Sequence, residues 1–164
     1  MTAIFAWRRL MKVLHTVAAG GFMGGLAALA IVAALAPASV GAPGLAPFTA
    51  ALAQLCTWLI GPAMVATVVS GLLAMLANPA FYEALWVWAK AATGILILEG
   101  GLHVMGPIQD NAKRAAAALA ASPDAANAAS LLTAEINTAW VLVAVSVFNV
   151  ALGVWRPRLR LGLD

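Results

Sequence analysis

The stretch Leu10–Leu35, LMKVLHTVAAGGFMGGLAALAIVAAL, decides the fold. Beyond Lys12 it contains no Asp, Glu, Lys or Arg. A helix crossing the hydrocarbon of a bilayer, about 30 Å thick, needs about 20 mostly apolar residues. Three further runs meet that requirement: Phe48–Ala77, Ala84–Met105 and Leu131–Trp155. Each of the four stops at a proline, at Pro37, Asn78-Pro79, Gly106-Pro107 and Arg156-Pro157. Proline lacks a backbone donor and restricts the residue before it, so these stops have a steric cause. None of the runs alternates with the period of two that a membrane β-strand requires. The expectation is one all-α membrane domain over residues 1–164, a four-helix bundle. A short external helix, 108–121, is expected inside the loop 106–130, before a turn at Ser122-Pro123-Asp124.

Composition agrees. Of 164 residues, 64% are hydrophobic and 9% charged, against roughly 25% charged in soluble domains. Mean hydropathy is +0.98. Such a chain cannot cover itself in polar surface, so lipid must be its outer solvent. The single cysteine, Cys56, excludes an internal disulfide and a cysteine zinc cluster. The net charge of +3 gathers in two small terminal clusters, which argues against nucleic-acid binding. Arg8, Arg9 and Lys12 precede the first run, and Arg156, Arg158 and Arg160 follow the fourth. The first loop is uncharged, and the third balances Lys113 and Arg114 against Asp110 and Asp124. Basic flanks face the cytoplasm, so both ends are expected inside, at a bacterial inner membrane. Arg8-Arg9 before an apolar run also resembles a twin-arginine export leader. The run's full spanning length and the three spans after it favour a retained helix.

Ionisable groups within a span are costly, so each needs a reason. They are His15, Lys90, Glu99 and His103, with Glu135 near an end. His15 shares a face with Ala18, Ala19 and Phe22, which leaves room for a flat ligand. It is a candidate haem ligand, or a histidine bonded to a backbone carbonyl. Glu99 and His103, four apart, share a stripe with Trp88, Ala92 and Ile95. They form either a ligand or proton-transfer pair, with His103 a candidate metal ligand and Glu99 a candidate catalytic group, or an ion pair locking the bundle. Lys90 lies on the opposite side of that helix, at a depth like that of His15. It either snorkels or pairs an anionic ligand group. By helical rise His15 and His103 should differ in depth by on the order of 20 Å, too far to clamp one iron. Gly20, Gly21, Gly24 and Gly25 form small-xxx-small steps that suit close packing, within the bundle or against a second subunit. The tryptophans near span ends suggest an interfacial belt. Gln54, Cys56 and Thr57 are expected at an interface, and the methionines appear scattered. No phosphate-binding loop, hydrolase triad or zinc-protease motif is present.

Leu10-Met11-Lys12-Val13-Leu14-His15 with Gly24-Gly25, Pro62 through Ser70-Gly71-Leu72, Trp86-Val87-Trp88-Ala89-Lys90 and His103 together resemble a family. It is that of the small four-helix membrane proteins of the HemJ type (membrane protoporphyrinogen oxidases) and the CopD type (copper-resistance proteins). The resemblance covers about three of the four helices. It implies bound haem b, with His15 and Lys90 as the functional pair. HemJ-type chains carry a Tyr-His pair soon after the lysine, where this chain has Glu99-Gly100-Gly101-Leu102-His103. The resulting expectation is a haem-b-associated redox protein, acting on a porphyrin or relaying electrons. His15, Lys90 and His103 would contact the cofactor, and Lys90 and Glu99 would be the catalytic candidates. Its rivals are an accessory subunit of a larger membrane complex and a copper or small-solute permease.

Overall fold

A computed structural model describes residues 2–35, 42–76, 84–121 and 128–155. The elements are α1 (Thr2–Ala34), α2 (Ala42–Leu55), a π-helical turn (Cys56–Ile60), α3 (Gly61–Leu76), α4 (Leu85–Ala121) and α5 (Ala128–Trp155). Four helices are long and apolar enough to cross a membrane: Ala6–Ala34, Ala46–Leu76, Leu85–Arg114 and Leu132–Trp155. The chain is a multi-pass, all-α membrane bundle. Four antiparallel spans bring Thr2 and Trp155 to one end of the bundle, called here the terminal end.

The second span consists of α2, the π turn and α3. It changes neighbours along its length: α2 packs on α4, and α3 packs on α1. α5 closes the ring by packing on both α1 and α4. The switch falls at the π turn, where Gly61 N–H bonds the Cys56 carbonyl five residues back. Pro62 follows immediately. It has no N–H to give and would crowd the carbonyl four residues before it, and widening the turn relieves both problems.

Three boundaries differ from the sequence expectation. α4 runs unbroken through Gly106-Pro107 to Ala121, so the stop expected there is wrong and the external helix is a continuation of the third span. Proline disfavours a helical preceding residue largely through that residue's Cβ, and Gly106 has none. α2 begins at Ala42 and contains Pro47, six residues ahead of the expected start. α5 begins at Ala128, slightly before Leu131. The stop at Asn78-Pro79, the turn at Ser122-Pro123-Asp124 and the segment from Arg156 onward lie outside the described residues.

The core is a continuous apolar cluster. Phe22, Leu26 and Leu29 of α1 meet Leu52, Ile60 and Met64 of the second span, Val104 and Ile108 of α4, and Leu132 and Leu142 of α5. In lipid, burial of such residues gains little from water exclusion, so tight packing must hold the helices together. Glycine makes it possible. A Cβ on Gly25 would stand 2.9 Å from Ile60, and one on Gly101 would stand 2.6 Å from Met64 Sδ. The glycines of α1 therefore divide. Gly21 and Gly25 face the second span, whereas Gly20 and Gly24 have no neighbour among the described residues within 4 Å of a Cβ. Large apolar residues such as Val17, Ile31, Val65 and Val147 cover the outside, as a lipid-facing surface requires.

Candidate functional site

The terminal half of the bundle holds two polar groups of side chains, each bridging two spans. In the first, His15 crosses from α1 to α3. Its Nδ1 is 3.0 Å from the Thr67 carbonyl and 3.1 Å from Ser70 Oγ. A carbonyl only accepts, so the contact fixes the proton on Nδ1. Ser70 spends its own hydroxyl proton on the Ala66 carbonyl, 2.5 Å away, and can accept from Nδ1. Nε2 then keeps its lone pair and has no hydrogen-bond partner among the described residues. The ring lies on Gly71, where a Cβ would be 3.3 Å from Cε1.

In the second group, Lys90 crosses from α4 to α5 and donates from Nζ to the Asn149 carbonyl, 2.9 Å away. Asn149 answers from its side chain. Its Nδ2 donates to Thr93 Oγ1 at 2.8 Å and to the Lys90 carbonyl at 3.4 Å. Thr93 in turn donates to the Ala89 carbonyl. The ammonium sits over Gly153, where a Cβ would be 2.9 Å from Nζ. Lys90 is thus turned inward and held rather than extended along the surface. It uses one of three donors on described residues. His15 and Lys90 both lie in the terminal half of the bundle, on helices that each pack against α5. On α5, Ser146 is 5% exposed and its hydroxyl has no partner among the described residues. Buried hydroxyls are nearly always bonded, so an orphan is a notable one.

The remaining candidates lie elsewhere. Gly101 of α4 is level with Phe22 of α1, where a Cβ would meet the Phe22 ring at 3.6 Å. From that register His103 and His15 differ in depth by about 14 Å, less than expected yet still too far to share an iron. They also face different ways. His103 and Glu99 are 73% and 69% exposed on the outside of α4, with 3.8 Å between His103 Nδ1 and the Glu99 carboxylate. His103 Nδ1 bonds the Glu99 backbone carbonyl at 3.0 Å. The pair therefore does not lock this bundle from within. Among the described residues no three of His, Cys, Asp or Glu come together. Glu135 is partly buried at the far end, and one of its carboxylate oxygens has no partner among the described residues.

A shallow apolar groove of about 720 Å³ runs between the middle of the second span and the outer half of α4. Thr57 and Gln109, both lining it, approach each other at 3.4 Å. Cys56 is buried rather than interfacial, only 1% exposed. Neither His15 nor Lys90 lines this groove.

Sequence reasoning singled out His15 and Lys90 but not the side chains and carbonyls they bond. Thr67, Thr93 and Asn149 are uncharged, so the cost of burying an ionisable group does not single them out inside a span. Asn149, a lone amide in the run VSVFNVAL, carried the clearest overlooked signal.

Can these residues hold a haem? The donor set fits at the terminal half. An imidazole is pinned through Nδ1 with Nε2 available, a cation with donors to spare bridges α4 and α5 in the same half of the bundle, and each side chain packs against a glycine whose missing Cβ makes room for it. At His103 the Nε2 likewise has no partner among the described residues, but that side chain lies on the outside of the bundle. Comparison with family models, with curated proteins and with solved structures finds nothing that matches this chain.

Proposed function

We propose that this chain is a haem-b-associated redox protein of the bacterial cytoplasmic membrane, in which His15 would hold the haem iron. The observation that carries this reading is the His15 hydrogen bond to the Thr67 carbonyl. Metal-bound histidines characteristically donate their other ring N–H to a carbonyl or carboxylate, which fixes the tautomer and strengthens the ligand. When bound, haem supplies one-electron chemistry. The chain's own residues do the rest. Thr67 and Ser70 orient the imidazole. Gly71 lets its ring lie close to α3. Lys90 would offer its remaining N–H groups to an anionic edge such as a propionate, while the Asn149 carbonyl holds it in place. The apolar helices around them keep water out and strengthen that charge pairing. In this reading Glu99 and His103 take no part in the site.

Two rivals remain in view. An accessory subunit would need no pigment. A copper or small-solute permease would need polar groups continuing outward from Lys90, and Glu99 and His103 face away from the bundle interior. One experiment separates these readings: the visible absorption of protein purified after expression with added haem precursor. The expected result is a Soret band, lost or shifted in His15→Ala and preserved in His103→Ala. Lys90→Met should retain the band but weaken haem affinity by about ten- to a hundred-fold, as loss of a charged hydrogen bond of about 1.5–3 kcal/mol implies. A colourless wild type, or a band indifferent to His15→Ala, would refute the proposal.

A further inference from the structure

Glu99 lies midway along the span Leu85–Arg114, about 20 Å from either end by helical rise. Its side chain cannot reach water from there. Yet it is 69% exposed and His103 is 73% exposed. Each is incompletely served within the chain. His103 uses Nδ1 on the Glu99 carbonyl at 3.0 Å, which leaves Nε2 open, and the carboxylate stands 3.8 Å from Nδ1 with no closer partner among the described residues. A carboxyl group and an imidazole left to bare hydrocarbon are strongly disfavoured. Something must cover them, and it must offer both an acceptor and a donor.

We propose that the cover is the same face of a second copy of this chain. Two copies related by a two-fold axis along the membrane normal set identical faces together, so each Glu99 can meet His103 of the partner subunit, and the reverse. The face is its own complement: one proton lies between each carboxyl and the facing Nε2, and the arrangement satisfies both groups whichever atom holds it. The surrounding residues suit such a seam. Ala92, Ile95, Glu99, Leu102 and Gly106 follow spacings of three and four, the repeat of two helices packed at a shallow left-handed angle. Ala92, Ile95 and Leu102 are exposed, and Gly106 has nothing within 4 Å of a Cβ. The small residues at either end of the seam would let the backbones approach.

The test uses the full chain in lipid nanodiscs and in native membranes. Mass measurement should give two copies per particle, and Ile95→Cys should cross-link to itself on mild oxidation, while Val147→Cys on α5 should not. Ala92→Phe, whose added ring projects outward from a single bundle, should weaken the dimer at least ten-fold without altering the helical content. A monomeric wild type, cross-linking at Val147 instead of Ile95, or stoichiometric capture of a different chain in place of the second copy would overturn the proposal. Pigment is read separately by absorption, so failure here is distinct from failure of the haem reading.

Discussion

Asn149 and Thr93 tie α5 to α4 through a 2.8 Å hydrogen bond inside the membrane. Such bonds contribute about 0.6 kcal/mol on average, with model peptides reaching about 1–2 kcal/mol. A double-mutant cycle with Asn149→Leu and Thr93→Val should therefore give a coupling of about 0.6–1 kcal/mol in reversible unfolding from detergent. A coupling of zero would mean that the bond does not form. Ser146 behaves oppositely. Its hydroxyl is buried without a partner among the described residues, so in pigment-free protein Ser146→Ala should leave stability unchanged or raise it by up to about 1 kcal/mol. Marked destabilisation in thermal melts would show that the hydroxyl is bonded after all. At Gly71 the prediction concerns function. A methyl group there would come to 3.3 Å from His15 Cε1, so Gly71→Ala should shift the absorption band of the bound pigment while four spans still form.

At the scale of elements, the glycines of α1 make paired predictions. Gly25→Val drives a side chain into Ile60, with its Cβ 2.9 Å from Cγ1, and should cost about 1–3 kcal/mol by overpacking. Gly24→Val, one residue away, meets nothing within 4 Å and should be close to neutral. Equal effects in thermal melts would contradict the packing of α1 on the second span. The difference between these neighbours was not legible in the sequence, where all four glycines look alike. Hydropathy and proline positions located the spans because lipid demands long unbroken apolar helices. They misplaced the end of α4 because a Gly-Pro pair can stay helical, the glycine having no Cβ to clash. The π turn at Cys56–Ile60 was also invisible, since it answers to Pro62 and to the change of packing partner along the second span. Burial direction decided the site candidates. Helical spacing put Glu99 and His103 on one face, but only the packed bundle shows that this face points outward.

For the whole molecule, basic flanks at both chain ends predict that the terminal end faces the cytoplasm. Reporter domains fused to either end should both read as cytoplasmic, and a split result would break the even count of spans. Within that frame the central claim is that lipid surrounds the helices and that His15 is pinned through Nδ1 to the second span, with Nε2 held ready. Nitrogen spectroscopy of histidine-labelled protein in bilayers observes this directly. With His103→Gln leaving one histidine, and at mildly alkaline pH where an imidazole is neutral, the account predicts a single tautomer protonated on Nδ1. A ring protonated on Nε2, or one averaging between tautomers, would contradict it.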